Sequence, residues 1–492
     1  MNRRQFLHFT SAAAVSQLVS GCRMSPFKTQ GGKAGTRKPN IILIFSDDQG
    51  YSDLGCCGSK EVISPNLDKM AAEGVRLTDF YVTASVCTPS RSGLLTGRYP
   101  HRNGLFDMIR NNMTNFGHIY KELEYAVSPE GTQGLDVREV VIAQALKPAG
   151  YATGVFGKWD SGRARQFMPL QRGFDTFYGF SNTGIDYWTH ERYEMPSMFR
   201  QNQRIKEKGY ATDLFKRETI KFIEKNKDKP FFIYLPFNSP HGASNLKHRS
   251  VQAPDKYVRM YGDLPGTNRQ RYMAAITCMD DAIGEIQSKL KQLGLDDNTL
   301  IVFTCDNGCG NTTPLRGGKG YLYEGGIRVP FIARWPGRIP SGQISDEFCS
   351  ALDLFPTFLK MAGVKPSKNI KLDGYDMLPV LTGKGKSRRK DHFWEWQAKR
   401  AARVGKWKWV METDRYVLPK DMTGELYDLS VDIGEKNNLA TEKPKRLKWI
   451  QSKWDKWMKE MAASEPRGPF GKAYFDKIGY GDGSYRIPNE DI

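Results

Sequence analysis

One short segment holds a cysteine in a setting that favours an anion. It reads Cys-Thr-Pro-Ser-Arg from Cys87 to Arg91 and continues Ser-Gly-Leu-Leu-Thr-Gly-Arg. A cysteine followed by Pro-Ser-Arg predicts the start of a helix, where backbone amides and the helix dipole favour negative charge. On these residues alone two interpretations of Cys87 are open: a buried thiol in a capped helix, or a thiolate nucleophile activated by the helix.

A second group of residues has the chemistry of a site for a hard metal ion. Asp47, Asp48 and Asp306 supply carboxylates, and Asn307 supplies an amide carbonyl. This all-oxygen set, without imidazole or thiolate, suits calcium or magnesium. The Gly-Gly-Lys-Gly at 317–320 is not a nucleotide phosphate loop, because no Ser or Thr follows the lysine and the upstream glycine spacing is wrong.

Four short apolar runs must position these groups. They occupy residues 41–45, 151–156, 231–235 and 300–303. Such continuous apolar runs predict buried parallel strands, and helices are expected to cover them, including segments 138–147 and 272–290. The pattern predicts an α/β fold with a large mixed, mostly parallel sheet sandwiched by helices.

Each apolar run ends in polar residues that can do chemistry. The first ends in Asp47-Asp48, the second in Gly-Lys-Trp-Asp at 157–160, the third in Asn-Ser-Pro-His at 238–241, and the fourth in Asp306-Asn307-Gly308. Ligands of open α/β sheets bind beyond the carboxyl ends of the strands. We therefore expect carboxylates, a lysine (Lys158), an imidazole (His241) and an amide to converge at one edge of the sheet.

The pattern changes near residue 388. Segments 393–396 and 406–409 alternate polar and aromatic residues, which predicts strands of a smaller C-terminal antiparallel sheet. A basic amphipathic segment, 443–461, predicts a packed helix with a solvated charged face. The sequence thus predicts a catalytic domain at 39–387 and a smaller subdomain at 388–492 packed on it.

Taken together, these motifs resemble those of the formylglycine-dependent sulfatases of the arylsulfatase type, in the alkaline phosphatase superfamily, and in particular bacterial polysaccharide sulfatases. The Cys87 segment is similar to the family signature, Asp47-Asp48 and Asp306-Asn307-Gly308 to its metal motifs, and 315–320 to its lysine segment. Residues 426–429 and 438–440 are similar to its C-terminal part, so the resemblance spans about 39–440.

The resemblance implies an alkaline-phosphatase-like fold and a sulfuric ester hydrolase that acts on a sulfated carbohydrate, a polysaccharide. It implies that a separate formylglycine-generating enzyme oxidises Cys87 to formylglycine. It also implies one calcium ion, held by Asp47, Asp48, Asp306, Asn307 and the modified residue 87.

The resemblance also implies roles for individual side chains. One hydroxyl of the hydrated aldehyde at 87 attacks sulfur, and loss of the other hydroxyl's proton later expels sulfate. Arg91 holds the hydrate and the metal shell, while Lys158 and Lys319 stabilise the sulfate oxygens. His241, alone or with Lys319, protonates the departing alcohol. His190, in an aromatic insertion at 186–190, is either a sugar contact or an ordinary loop histidine.

Asp160 departs from the family pattern, in which a histidine follows Lys-Trp and assists elimination. Three interpretations are open: Asp160 is the substituted base, another group such as His101 replaces it, or turnover is impaired. The neighbouring Lys158 is expected to lower the pKa of Asp160 and weaken it as a base.

The N-terminal residues predict an export signal and not a part of the folded domain. Residues 2–7 resemble a twin-arginine signal, and the apolar stretch at 9–19 is too short to span a bilayer. Residues 19–22 resemble a lipobox, so Cys22 is expected to carry the lipid of the mature chain. We expect a signal at 1–22, a flexible tether at 23–38, and a lipid-anchored periplasmic or cell-surface protein.

The formal charge of +19 favours anionic partners. Nucleic acid is not expected, because Lys and Arg are dispersed and no zinc-finger or basic-zipper spacing occurs. Membrane contact is expected only through the lipid at Cys22. Two other functions stay open from sequence: a phosphate or phosphonate monoester hydrolase, and a non-catalytic lipoprotein that binds sulfated glycans.

Overall fold

A ten-stranded mixed sheet forms the centre of the protein. The computed structural model describes residues 37–109, 118–366, 369–413 and 423–468, together with the backbone of Lys28–Thr29. The strands of the large sheet are β1 (Asn40–Ser46), β2 (Val75–Leu77), β3 (Ala152–Lys158), β4 (Thr176–Phe180), β5 (Met198–Arg200), β6 (Gln203–Arg204), β7 (Phe231–Pro236), β8 (Thr299–Cys305), β9 (Phe331–Arg334) and β10 (Gln343–Ser345). Their spatial order is β6-β5-β4-β3-β7-β1-β8-β9-β2-β10.

The centre of this sheet is parallel and its flanks are mixed. Strands β4, β3, β7, β1 and β8 are parallel neighbours, whereas β9 pairs antiparallel with β8 and β5 antiparallel with β4. The four predicted apolar runs are the buried central strands β1, β3, β7 and β8. Their carboxyl ends therefore meet at one edge of the sheet, as expected.

Helices cover both faces of the large sheet. The helices of eight or more residues in the described ranges are α1 (Pro65–Ala72), α2 (Cys87–Thr96), α3 (Ala211–Asn226), α4 (Asn268–Gln292), α5 (Leu354–Ala362) and α6 (Pro444–Ala462). The shorter ones are Pro100–Asn103, Glu122–Val127, Pro129–Thr132, Ile142–Leu146, Asp255–Val258, Glu324–Ile327 and Leu378–Leu381. One core cluster joins α1, α3 and α4 to the sheet, and another joins α2 and α5 to it.

The two helices predicted to cover the sheet agree with the structure to different extents. The segment 272–290 lies inside α4, which extends beyond it at both ends. The segment 138–147 is helical only over Ile142–Leu146. Its start is set locally, because the Gln144 side chain accepts the backbone N–H of Val141 at 3.1 Å and so caps the first turn.

The C-terminal part forms a second, smaller sheet. Strands β11 (Asp391–Trp396), β12 (Lys399–Val404), β13 (Trp407–Met411) and β14 (Glu425–Asp428) pair antiparallel in chain order. Helix α6 packs on it through the fully buried Trp454, whose indole N–H donates to the Trp394 carbonyl at 2.9 Å. The predicted antiparallel sheet and helix are confirmed.

The small sheet is joined to the large domain by buried polar contacts. The indole of Trp394 donates to the Val82 carbonyl at 2.7 Å. Lys408, which is fully buried, donates to Glu324 at 2.9 Å and to Glu435 at 3.2 Å. Because such groups are costly to leave unpaired, the two sheets are held in one arrangement.

Three two-stranded pairs complete the described sheets: Lys28–Thr29 with Val364–Lys365, Phe80–Tyr81 with Cys349–Ser350, and Glu191–Arg192 with Met195–Pro196.

The predicted signal at 1–22, its Cys22, most of the predicted tether and residues 469–492 lie outside the described residues. Within the described residues, none of the helices combines the length and the apolar character that a bilayer crossing requires.

Candidate active site

Cys87 lies at the first turn of a buried helix. Helix α2 begins at Cys87, after an extended Val86, and all of its residues are buried. The Cys87 sulfur lies 3.6 Å from Asp47 Oδ1, 3.6 Å from Asn307 Oδ1 and 4.0 Å from Asp48 Oδ1. The helix start therefore holds residue 87 against side-chain oxygens that follow two strands of the large sheet.

The residues that carry these oxygens follow the ends of β1 and β8. Asp48 adopts a left-handed backbone (φ 62°), which returns its N–H to Asp306 Oδ1 at 3.1 Å. The Asn307 amide donates to Asp48 Oδ1 at 2.8 Å. Ligand atoms of Asp47, Asp48, Cys87 and His241 all lie within 4.8 Å of one another. The predicted metal residues are therefore neighbours, and His241 is an additional member of the cluster.

Three cations compensate the three carboxylates. Arg91 donates to Asp306 Oδ2 through Nε at 3.1 Å and Nη2 at 2.8 Å, and Nη2 lies 3.5 Å from Asp47. Lys158 donates to Asp47 Oδ2 at 2.8 Å. Lys319 donates to Asp48 Oδ2 at 2.7 Å, and its Nζ lies 3.4 Å from the Cys87 sulfur.

The exposure of these side chains marks the open side of the site. Arg91 and Lys158 are fully buried. The Lys319 side chain is 28% exposed and the His241 side chain 20%. The site therefore opens to solvent at Lys319 and His241.

The buried charges shift one another's titration. Burial and the Asp306 charge raise the pKa of Asp47 well above its ordinary value. The pKa of Asp306 is far below its usual range. Burial alone would raise it, but the positive charges of Arg91 and Lys158 outweigh the effect of burial. Burial and Asp306 raise the pKa of the Cys87 thiol, although Lys158 and Lys319 oppose them. This gives no support to the thiolate interpretation of Cys87.

His241 presents one ring nitrogen to the cluster. Its Nδ1 donates to the Gly242 carbonyl at 2.7 Å, and its Nε2 lies 3.5 Å from Asp48 Oδ2. Burial lowers the pKa of His241 to about 3, although the Asp48 carboxylate opposes this shift. With its proton on Nδ1, the neutral His241 has none on Nε2, which favours Lys319 over His241 alone as the proton donor.

Asp160 contacts Thr88, the residue after Cys87, and lies near Lys158. Thr88, the residue after the cysteine, donates to Asp160 Oδ1 at 3.0 Å, and Oδ2 lies 3.7 Å from Lys158 Nζ. The expected fall in the pKa of Asp160 is wrong in direction. Burial raises that pKa, and it outweighs the opposing charge of Lys158. A raised pKa makes this carboxylate a better base than its position next to lysine suggested.

Two other histidines lie elsewhere. His101 Nε2 lies 2.7 Å from Glu395 of the small sheet, and its ring is stacked on Phe106. It therefore belongs to the contact between the two sheets, which favours Asp160 over His101 as the substitute base. His190 donates from Nε2 to the Gly209 carbonyl at 3.0 Å and is buried, so the described contacts fit a structural loop histidine.

Some contributors carried no recognisable signal in the sequence. Tyr234 of β7 accepts a hydrogen bond from Arg91 at 3.4 Å, and the Arg91 guanidinium lies 5.1 Å from the centre of the Phe45 ring. Both residues sit inside apolar runs, where a tyrosine or phenylalanine is ordinary core. Thr88 lies inside the cysteine motif, but only the fold brings Asp160 to it.

Comparison with known proteins agrees with this geometry. The sequence matches the Sulfatase family over residues 39–364, and the family described as N-sulphoglucosamine sulphohydrolase, C-terminal, over residues 318–464. It is 33% identical to arylsulfatase A of Homo sapiens over 471 residues, 83% of this chain and 84% of that one. It is 33% identical to N-acetylgalactosamine-6-sulfatase of Canis lupus familiaris over 407 residues, 74% of each chain.

The fold has a counterpart among solved structures. The crystal structure of Ps i-CgsB in complex with k-i-k-neocarrahexaose matches with a TM-score of 0.74 at 32% identity, covering 86% of this chain and 93% of that chain. The fold and the site define the class as a hydrolase with an alkaline-phosphatase-like fold. The chain belongs to the sulfatase family and is a sulfuric ester hydrolase. This membership favours sulfate esters over the two other functions that the sequence left open.

Replacement of Arg91 tests the charge compensation. We expect Arg91→Met to lower the free energy of unfolding by about 3–5 kcal/mol, because it leaves buried carboxylates without their partner. Arg91→Lys is the matched control, since it keeps the charge but loses the contact through two nitrogens, and it should cost less. Urea unfolding monitored by fluorescence measures both, and equal stability of all three proteins would contradict this account.

Proposed function

We propose that the protein removes sulfate from a sulfated carbohydrate, using a formylglycine made from Cys87 and one calcium ion. The observation that carries the proposal is the setting of Cys87. Its side chain starts a buried helix and lies within 4.0 Å of Asp47, Asp48, Asn307 and Lys319. A relative named N-acetylgalactosamine-6-sulfatase and a structure in complex with k-i-k-neocarrahexaose support a carbohydrate substrate.

The residues present fit a calcium ion. Asp47, Asp48 and Asn307 offer oxygen atoms within 4.0 Å of the Cys87 sulfur, and Asp306 offers an oxygen that accepts from the Asp48 N–H. Hard oxygen ligands are those that calcium prefers. When bound, the ion would withdraw charge from the sulfate and from the attacking oxygen. The carboxylates of Asp47 and Asp48 face the cluster from one strand end, and Asp306 faces it from another.

The chain's own side chains define the rest of the reaction. The hydrated aldehyde at 87 would supply the oxygen nucleophile. Arg91 holds Asp306 and Asp47 in place from the buried side. Lys158 and Lys319 provide positive charge for the sulfate oxygens from two directions. Lys319, on the open side, would return the proton of the departing alcohol, and His241 would accept a hydrogen bond there through its unprotonated Nε2.

Asp160 is proposed as the base that assists elimination. It approaches the start of α2 through Thr88, and burial favours its accepting a proton. This assigns to a carboxylate the role that a histidine has in the family pattern.

Export and anchoring are proposed from the sequence alone. A twin-arginine signal would carry a folded, modified enzyme across the membrane, and a lipid on Cys22 would hold it in the periplasm or at the cell surface. A formylglycine-generating enzyme is the partner that this maturation requires.

Mass spectrometry of residue 87 is the first test. The tryptic peptide Leu77 to Arg91, from protein made in its own host or beside a formylglycine-generating enzyme, is expected to carry an aldehyde in place of the thiol. Cys87→Ala is expected to abolish sulfate release and to retain binding of a sulfated glycan. An unmodified Cys87 in protein from a maturation-competent host, or sulfate release by the Cys87→Ala variant, would contradict the covalent mechanism.

Asp160 can be tested by an isosteric pair. We expect Asp160→Asn to lower kcat by about 10²–10⁴-fold with KM little changed, because it removes a base but keeps the oxygen that faces Thr88. Asp160→His, which supplies a different base, should recover part of kcat and shift its pH profile. A kcat for Asp160→Asn close to that of the parent would assign Asp160 a structural role only.

Calcium can be tested without measuring activity. Chelation is expected to lower the free energy of unfolding, and calcium at about 100 times its Kd should restore about 2.7 kcal/mol. Asp48→Asn should lose most of this calcium-dependent gain. Stability that is indifferent to calcium but responds to magnesium would overturn the choice of metal.

A further inference from the structure

A basic cavity lies at the edge of the large sheet opposite the active site. It has a volume of about 820 Å³ and is bordered by the residues before β1, after β9 and around α5. Its charged lining residues are Arg37, Lys38, Arg338, Lys360, Lys384 and Asp376. We call this cavity and its rim the basic face.

Three cations of the basic face have no acidic partner among the described residues. Arg338, Lys360 and Lys384 are exposed, and within the described ranges none of them has a carboxylate at ion-pair distance. Only one carboxylate, Asp376, lines the cavity against five cations. A second cavity, beside α6, is different because its Lys371 pairs with Glu460. The basic face therefore holds uncompensated positive charge, which favours an anionic partner.

The basic face is distant from the catalytic cluster. Residues 37–39 precede β1, whereas Asp47 and Asp48 follow it. A strand of seven residues is about 23 Å long at about 3.3 Å per residue. A sulfate ester bound at Cys87 therefore leaves the basic face free.

The path of the chain brings the proposed anchor to this face. The backbone of Lys28–Thr29 pairs with Val364–Lys365, directly after α5, whose Lys360 lines the cavity. Cys22 precedes Lys28 by six residues. Six residues reach at most about 21 Å when fully extended. A lipid on Cys22 would therefore enter a bilayer close to the basic face.

We propose that the basic face docks on anionic phospholipid headgroups of the membrane that holds the lipid of Cys22. The position of the face rests on the proposed lipidation, whereas its charge does not. Docking in this way turns the amino edge of the large sheet to the membrane. The carboxyl edge, with Cys87 and its open side at Lys319, then faces away from the membrane, toward soluble polysaccharide.

The test uses the mature chain from residue 22 with Cys22→Ser, so that no lipid contributes to binding. Vesicles of equal parts phosphatidylcholine and phosphatidylglycerol should bind this protein, and pure phosphatidylcholine vesicles should not. Combined Arg338→Glu, Lys360→Glu and Lys384→Glu is expected to weaken vesicle partitioning at least about tenfold. Release of sulfate from a small soluble aryl sulfate should be unchanged.

A matched control carries the same change of charge on another surface. Lys448, Lys453 and Lys456 are exposed lysines of α6 outside the basic face, and their combined change to Glu should lower partitioning far less. Equal losses in both variants, or no binding to the anionic vesicles, would overturn the proposal. Loss of binding to a sulfated galactan with vesicle binding intact would instead make the basic face a second polysaccharide site. Whether Cys22 is lipidated is measured separately, by mass spectrometry of the protein from its host, where failure of lipidation leaves Cys22 without the mass of a lipid.

Discussion

The compensation of buried charge at the end of the central strands is the constraint on which the rest of the site depends. Asp47 and Asp306 lie with Arg91 and Lys158 in a region without solvent, and Lys319 completes the set at its open side. A single unpaired charge there would be costly, so each group requires the others. With Asp160, which lies 3.7 Å from Lys158, four carboxylates face three cations, so a divalent cation would leave a small positive excess that an anionic sulfate ester would offset.

This compensation demands accurate placement, and parallel strands provide it. Strands β1 and β8 are in register from Asn40 with Thr299 to Ser46 with Cys305, so Asp47 and Asp306 leave the sheet at the same level. The left-handed backbone of Asp48 then turns its N–H to Asp306. Cys87 enters from a helix of the neighbouring layer, where its first turn is aimed at these oxygens.

The small sheet also contributes to the placement of Lys319. Lys399 of β12 donates to the carbonyl of Gly320, the residue after Lys319, at 2.7 Å. The Glu324 segment, a few residues further, is held by Lys408 of β13. The C-terminal part therefore also positions the loop that carries Lys319 at the open side of the site.

The sequence by itself determined the strands, the residues at their ends and the class of chemistry. Apolar runs of strand length identify β1, β3, β7 and β8, and hard-ligand chemistry points to the residues proposed to hold a metal, because both depend on local composition. Only the tertiary structure decided which charges are compensated and which carboxylate contacts Thr88, the residue after Cys87. The pKa of Asp160 illustrates the difference, since its neighbour Lys158 is visible in the sequence whereas its burial is not. The basic face is equally invisible in sequence, because its cations come from segments hundreds of residues apart that meet only when the sheet and α5 are assembled.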